Sequence, residues 1–298
     1  MRNDKQQIAC RQIKSVTYLA IAANTLLFVV KLVVGFFTGS IALIADSFHS
    51  LSDMTTDLAV LLGVYIGSKE PDRRHPYGHG WAETFSAVFI ALILVFVGLA
   101  FVYYAAVDVA KGNVITAHIS VLIVAIVSII AKELLYGVTK RAAIKSHSPA
   151  LYANAWHHRS DALSSVAVVA GFASLRFGFK YGDQIAAVAV GLMVILVGVK
   201  IIGDCLGELT ERAVDAETIE QIQHIINSNS SIQHWHKLRT RMVGREVFLD
   251  LHILVEADLN IAAAHEIAES LETSLHEQIV RPVNITVHVE PDIPELRK

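Results

Sequence analysis

Six long apolar stretches dominate the first two-thirds of the chain, near residues 15–37, 41–67, 83–108, 116–138, 150–174 and 183–206. Each is long enough for a membrane-spanning α-helix, which needs about 20 apolar residues, and a helix satisfies its own backbone in lipid. Past Leu206 the pattern changes. Glu208, Glu211 and Arg212 close the apolar region, and 213–293 follows shorter periods. Residues 215–228 predict a helix with Asp215 as its N-cap. Strands are predicted over 236–242 and 246–256, joined by a turn at Gly244. In the second strand Val247, Leu249, Leu251, Ile253 and Val255 alternate with Glu246, Asp250, His252 and Glu256. A helix over 261–278, capped by Asn260, and a strand over 283–290 complete an α-β-β-α-β order. The expected fold class is therefore a six-helix all-α transmembrane domain plus a C-terminal α+β domain. The expected division is an N-terminal segment 1–14, a transmembrane domain 15–208 and a second domain 209–298.

Composition agrees with a multi-pass membrane protein: 298 residues are 53% apolar, with a mean hydropathy of +0.48. Basic residues orient it. Arg2, Lys5, Arg11 and Lys14 precede the first span, Lys69, Arg73 and Arg74 follow the second, and Lys140, Arg141 and Lys145 follow the fourth. The opposite loops offer only Lys111, Arg176 and Lys180. The positive-inside rule then predicts that both termini, and the C-terminal domain, are cytoplasmic. The first apolar run lacks a cleavage site and is expected to be a retained helix rather than a signal peptide. The short loops suggest a prokaryotic plasma membrane. The net charge of −3 says little about partners, and no basic tract argues for a nucleic-acid partner.

Chemistry sits inside the apolar stretches. His49/Asp53 and His157/Asp161 are two His-x-x-x-Asp steps, and a spacing of four puts both side chains on one helix face. Ionisable groups at membrane depth are functional candidates by default. Two imidazoles and two carboxylates form the ligand count of a tetrahedral divalent metal, and a mixed nitrogen and oxygen set suits Zn²⁺ and its first-row neighbours. Asp46 and Asp57 share the face of His49 and Asp53, as Asn154 shares that of His157 and Asp161. Fourteen histidines against two cysteines, Cys10 and Cys205, also favour nitrogen and oxygen ligation over a thiolate site. An imidazole binds metal only when neutral and titrates near pH 6.5 in ordinary surroundings, so protons and metal compete for such a site. Alternation between the two makes an antiporter. Lys31 in the first span is expected to snorkel or ion-pair. Lys132 and Glu133, expected near the cytoplasmic end of the fourth span, are expected to serve structure rather than transport.

The segment from Gly39 to Ala42 followed by His49 and Asp53, the stretch 71–80 with Asp72, His75 and His79, and 157–161 together resemble the cation diffusion facilitator family over nearly the whole chain. The resemblance implies a homodimer that exports divalent metal from the cytoplasm in exchange for protons, through His49, Asp53, His157 and Asp161. Histidine at the first of these positions accompanies zinc transport. A second metal site is implied at Asp72, His75 and His79. The C-terminal domain resembles the family's metallochaperone-like fold, with metal positions at His236, His252, His265, His288 and Glu290. No prosthetic group is implied; zinc, or another divalent metal, is the implied substrate and regulatory ligand. Trp81 departs from the pattern, standing where relatives place a lysine that pairs with an acid near the end of helix six, so Glu211 loses that expected partner.

Three other readings remain open. An iron or manganese exporter of the same family differs only in cargo. A non-transporting sensor or scaffold would keep this fold without a complete site. An intramembrane metallohydrolase finds support only in residues 265–269, which begin like HExxH but end in Glu269.

Overall fold

The computed structural model describes residues 2–38, 41–111, 119–176 and 182–297. The chain divides into two compact units: Cys10–Cys205, and Leu206–Lys298 together with Met1–Ala9.

The helices α1 (Arg2–Thr38), α2 (Ile41–Gly67), α3 (Trp81–Lys111), α4 (Ile119–Ser146), α5 (Pro149–Arg176) and α6 (Gly182–Leu209) account for the six apolar stretches. Among the described residues, Ile8–Val34, Trp81–Lys111 and Ala187–Leu209 are long and apolar enough to cross a membrane. The segments α2, α4 and α5 carry the buried Asp53, Asp57, Lys132 and Asp161, which lower their hydropathy. Large apolar side chains such as Phe96, Leu134 and Leu196 face outward, where hydrocarbon rather than water is the compatible solvent.

Inside this unit the core is lean: Val60 and Val64 of α2, Ala87, Ile90, Ala91 and Leu94 of α3, Ala150, Leu151 and Ala153 of α5, and Val194 and Ile201 of α6. Small residues let helix backbones approach, since packing and not the hydrophobic effect holds helices together in lipid. Helices α3 and α6 approach closely at a pair of glycines. A Cβ added at Gly98 would lie 2.7 Å from the Gly191 carbonyl oxygen, and one at Gly191 an equal 2.7 Å from that of Gly98. Helices α4 and α5 form a hairpin that turns at His147, which takes a φ of 52°. Ser148 fastens the turn: its Oγ accepts from the Leu151 N–H at 3.3 Å and donates to Glu83 Oε2 of α3 at 2.8 Å.

The C-terminal unit contains α7 (Ala216–Ser228), β1 (His234–Val243), β2 (Glu246–Val255), α8 (Ile261–Gln278) and β3 (Val283–Pro291). Both expected caps are present, Asp215 accepting from the Thr218 N–H and Asn260 from the Ala263 N–H, each at 2.9 Å. The sheet order is β1-β2-β3, with β1/β2 antiparallel and β2/β3 parallel. The alternating residues of β2 pack against Ile222, Ile225 and Ile226 of α7 and Leu271 and Leu275 of α8, forming the core. A fully buried Leu or Ile contributes about 1.5–3 kcal/mol to such a core. The other sheet face carries polar groups such as Asp250 and His252 beside the buried Phe248 and Leu254.

Candidate metal centres

Asp53 on α2 and His157 and Asp161 on α5 are all buried, and each offers a ligand atom within 4.8 Å of the other two. His157 Nε2 lies 3.6 Å from Asp53 Oδ1 and 3.9 Å from Asp161 Oδ2. Neither ring nitrogen of His157 has a hydrogen-bond partner among the described residues. A buried imidazole without a partner, facing two carboxylates, is a donor set suited to a metal cation. His49 stands one helical turn before Asp53 on α2; its side chain, like that of Asp46, lies outside those described.

One cation already belongs to this cluster. Lys132 of α4 donates from Nζ to Asp53 Oδ2 at 2.7 Å and to Asp161 Oδ2 at 2.8 Å, with only 3% of its side chain exposed. This places Lys132 midway along α4, among the candidate ligands, rather than near the end of its span as expected. Its register is set by the α4–α5 hairpin, because Lys132 and Asp161 lie about equally far from the turn. Two helices that rise about 1.5 Å per residue then bring the two residues to the same height.

One turn further along, Asp57 accepts from Asn154 Nδ2 at 2.7 Å and from Asn24 Nδ2 of α1 at 2.9 Å. His158 Nε2 lies 3.6 Å from Asp57 Oδ1, and all four residues are fully buried. Asp57 therefore ties α1, α2 and α5 together beside His158. Sequence reasoning passed over Asn24, although a lone amide in the middle of an apolar run was the available signal.

The loop between α2 and α3 gathers a second group, Asp72, His75 and His79. Asp72 Oδ1 accepts from the N–H of Arg74 at 2.8 Å and of His75 at 2.7 Å, a turn that fixes the carboxylate. The two imidazoles then face it, His75 Nδ1 3.4 Å from Oδ1 and His79 Nε2 3.4 Å from Oδ2. Those backbone donors, from His75 and then Arg74, hold the Asp72 carboxyl below its ordinary value. The adjacent Gly78 has a φ of 90°, which an L side chain rarely adopts.

The third group belongs to the sheet. Strand register puts His236 of β1 opposite His252 of β2, and His252 opposite His288 of β3, so three histidines stand abreast. A bulge after His236, with Lys237 at a φ of 51°, sets the first pairing. Glu290, two residues past His288, reaches back among them. Its Oε1 is 2.8 Å from His252 Nδ1 and 3.5 Å from His288 Nε2, and its Oε2 is 3.0 Å from His236 Nε2. The last pair is close without hydrogen-bond alignment, leaving both atoms buried and unsatisfied. His236, His252 and Glu290 bring their ligand atoms within 4.8 Å of one another and could hold a metal ion, with the more exposed His288 beside them. His265 stands exposed on α8 and is not part of this group. Glu211, left without its expected lysine, accepts instead from Arg241 Nη1 at 2.6 Å.

Residues 17–210 match the cation efflux transmembrane domain, and residues 214–292 the cytoplasmic domain of cation efflux proteins. The chain belongs to the cation diffusion facilitator family. It is 35% identical to an uncharacterized transporter of Methanocaldococcus jannaschii, over 94% of this chain and 99% of that one. It is 31% identical to the magnetosome protein MamB of a Magnetospira strain, over 95% and 97% of the two chains. With the manganese efflux system protein MneP of Bacillus subtilis it shares 30% identity over 99% of this chain and all of the other. As a cation diffusion facilitator, the protein is a membrane transporter of metal cations. Its HExxE stretch lies on α8 of the cytoplasmic domain, with His265 and Glu266 exposed.

Proposed function

We propose that the protein exports divalent transition metal, zinc first, from the cytoplasm in exchange for protons. The observation that carries this reading is the buried convergence of Asp53, His157 and Asp161 from two helices. His49, a turn before Asp53, completes a four-ligand set of two imidazoles and two carboxylates. That set favours zinc over the hard, all-oxygen cations. Because imidazole binds metal or proton but not both, a proton gradient can empty the site on the far side of the membrane.

The protein then works as a homodimer in a prokaryotic plasma membrane with both termini cytoplasmic. His236, His252, His288 and Glu290 would hold a regulatory metal that tightens the cytoplasmic domains. Asp72, His75 and His79 form an accessory site in the loop.

A second reading, manganese or iron as cargo, is favoured by the manganese efflux name of one relative. Zinc and manganese flux into sealed proteoliposomes, with an imposed pH gradient and a pH-sensitive dye on the opposite side, decides both questions. Gradient-driven zinc uptake matched by counterflowing protons is expected. Manganese flux without zinc flux would replace the cargo, and no flux of either from folded, inserted protein would return the reading to a sensor or scaffold.

A further inference from the structure

The two carboxylates proposed to carry the cargo are also the two that bind Lys132. Its Nζ sits between Asp53 Oδ2 and Asp161 Oδ2 at 2.7 and 2.8 Å, with the stem buried. A dication on those oxygens and an ammonium in the same place repel strongly in a low-dielectric site. Both cannot stay.

We propose that Lys132 is a tethered counter-cation of the transport site: its ammonium pairs with Asp53 and Asp161 when the carrier is empty, offsetting one of their two negative charges, and withdraws when metal enters. The inference rests on the transport-site reading above and adds to it a residue that sets cargo affinity and the return of the empty carrier. Two buried carboxylates without a counter-charge are costly in a membrane, so a carrier that releases a dication needs other positive charge to cross back, and Lys132 supplies a fixed part of it beside the exchanged protons. Lysine suits the task because its ammonium is a point charge on a flexible four-carbon stem. It therefore reaches both oxygens or swings clear of them. Arginine would grip the pair with a planar fork and resist displacement. Lys132 comes from α4, whereas the ligands come from α2 and α5, so a slide of α4 along its hairpin partner is one route by which it leaves.

The test uses the full-length protein in proteoliposomes and compares net zinc uptake with zinc–zinc exchange, which bypasses the empty carrier. Lys132→Met should lower KM for zinc roughly tenfold, lower kcat for net uptake and leave exchange intact. Lys132→Arg should raise KM and slow both modes. A side chain that only balances charge for folding predicts the reverse: Arg like wild type, and Met with KM unchanged or raised. That result overturns the proposal. Lys132→Gln replaces the methionine variant if the latter does not fold, with the same expectations. Asp161→Ala in the same vesicles separates the two levels of inference. If it transports like wild type, the site assignment fails; if it is inactive while Lys132→Met keeps the wild-type KM, only the counter-cation fails.

Discussion

His252 Nδ1 and Glu290 Oε1 lie 2.8 Å apart across β2 and β3, although 38 residues separate them in the chain. Parallel pairing puts His252 beside His288, and a side chain two positions on returns to the same sheet face. That places one carboxylate in reach of three imidazoles. His288→Ala should weaken metal binding by the cytoplasmic domain about 10- to 100-fold, the usual range even for outer partners of a metal, and leave residual transport. Titrating chelator-treated protein with zinc, and measuring flux on the same preparation, checks both. Wild-type affinity in the variant would remove His288 from the set.

The same contact predicts an acid limit. The hydrogen bond from His252, and then the charges of His252, His236 and Lys237, hold the Glu290 carboxyl below its ordinary value of 4.5. A depressed carboxyl stabilises the fold above the unfolded value, and the contribution is lost as pH falls through the lower folded value. Metal-free protein should therefore lose protection of β3 in hydrogen exchange below a pH of about 4.5, after correction for intrinsic rates. Glu290→Gln should remove that limb. An identical acid profile in the variant assigns the effect elsewhere.

Asp161→Ala should reduce metal flux to the background of empty vesicles while cytoplasmic-domain binding persists. The substitution removes a ligand atom and leaves Lys132 with Asp53 alone among the carboxylates it now contacts. Folding is checked by gel filtration and by zinc titration of the remaining sites. Flux at the wild-type rate would show that the cargo passes elsewhere.

Asp57→Ala tests the neighbouring network. It strands the buried amides of Asn24 and Asn154, whose Nδ2 groups both donate to this carboxylate. A buried donor left unsatisfied costs about 1–3 kcal/mol. A fall in melting temperature of several degrees is expected in detergent, with partial recovery in Asp57→Asn. An unchanged melting temperature would mean that the amides find other partners.

The elements, their caps and the types of ligand were legible in the chain because each depends on neighbours within a few residues. Apolar runs of span length, the four-residue step from His157 to Asp161, and the alternation of β2 are local periodicities. They hold whatever the rest of the molecule does. Asn24 and Lys132 could not be placed in this way. Each is one polar group in an apolar run, and its role depends on which helix faces meet, which packing and the turn at His147 decide. The row His236, His252 and His288 likewise needed the strand register, a long-range property no single strand contains. The candidate ligands were therefore written in the sequence, and the tertiary structure decided what stands beside them, because a buried charge is defined by the neighbours that neutralise it.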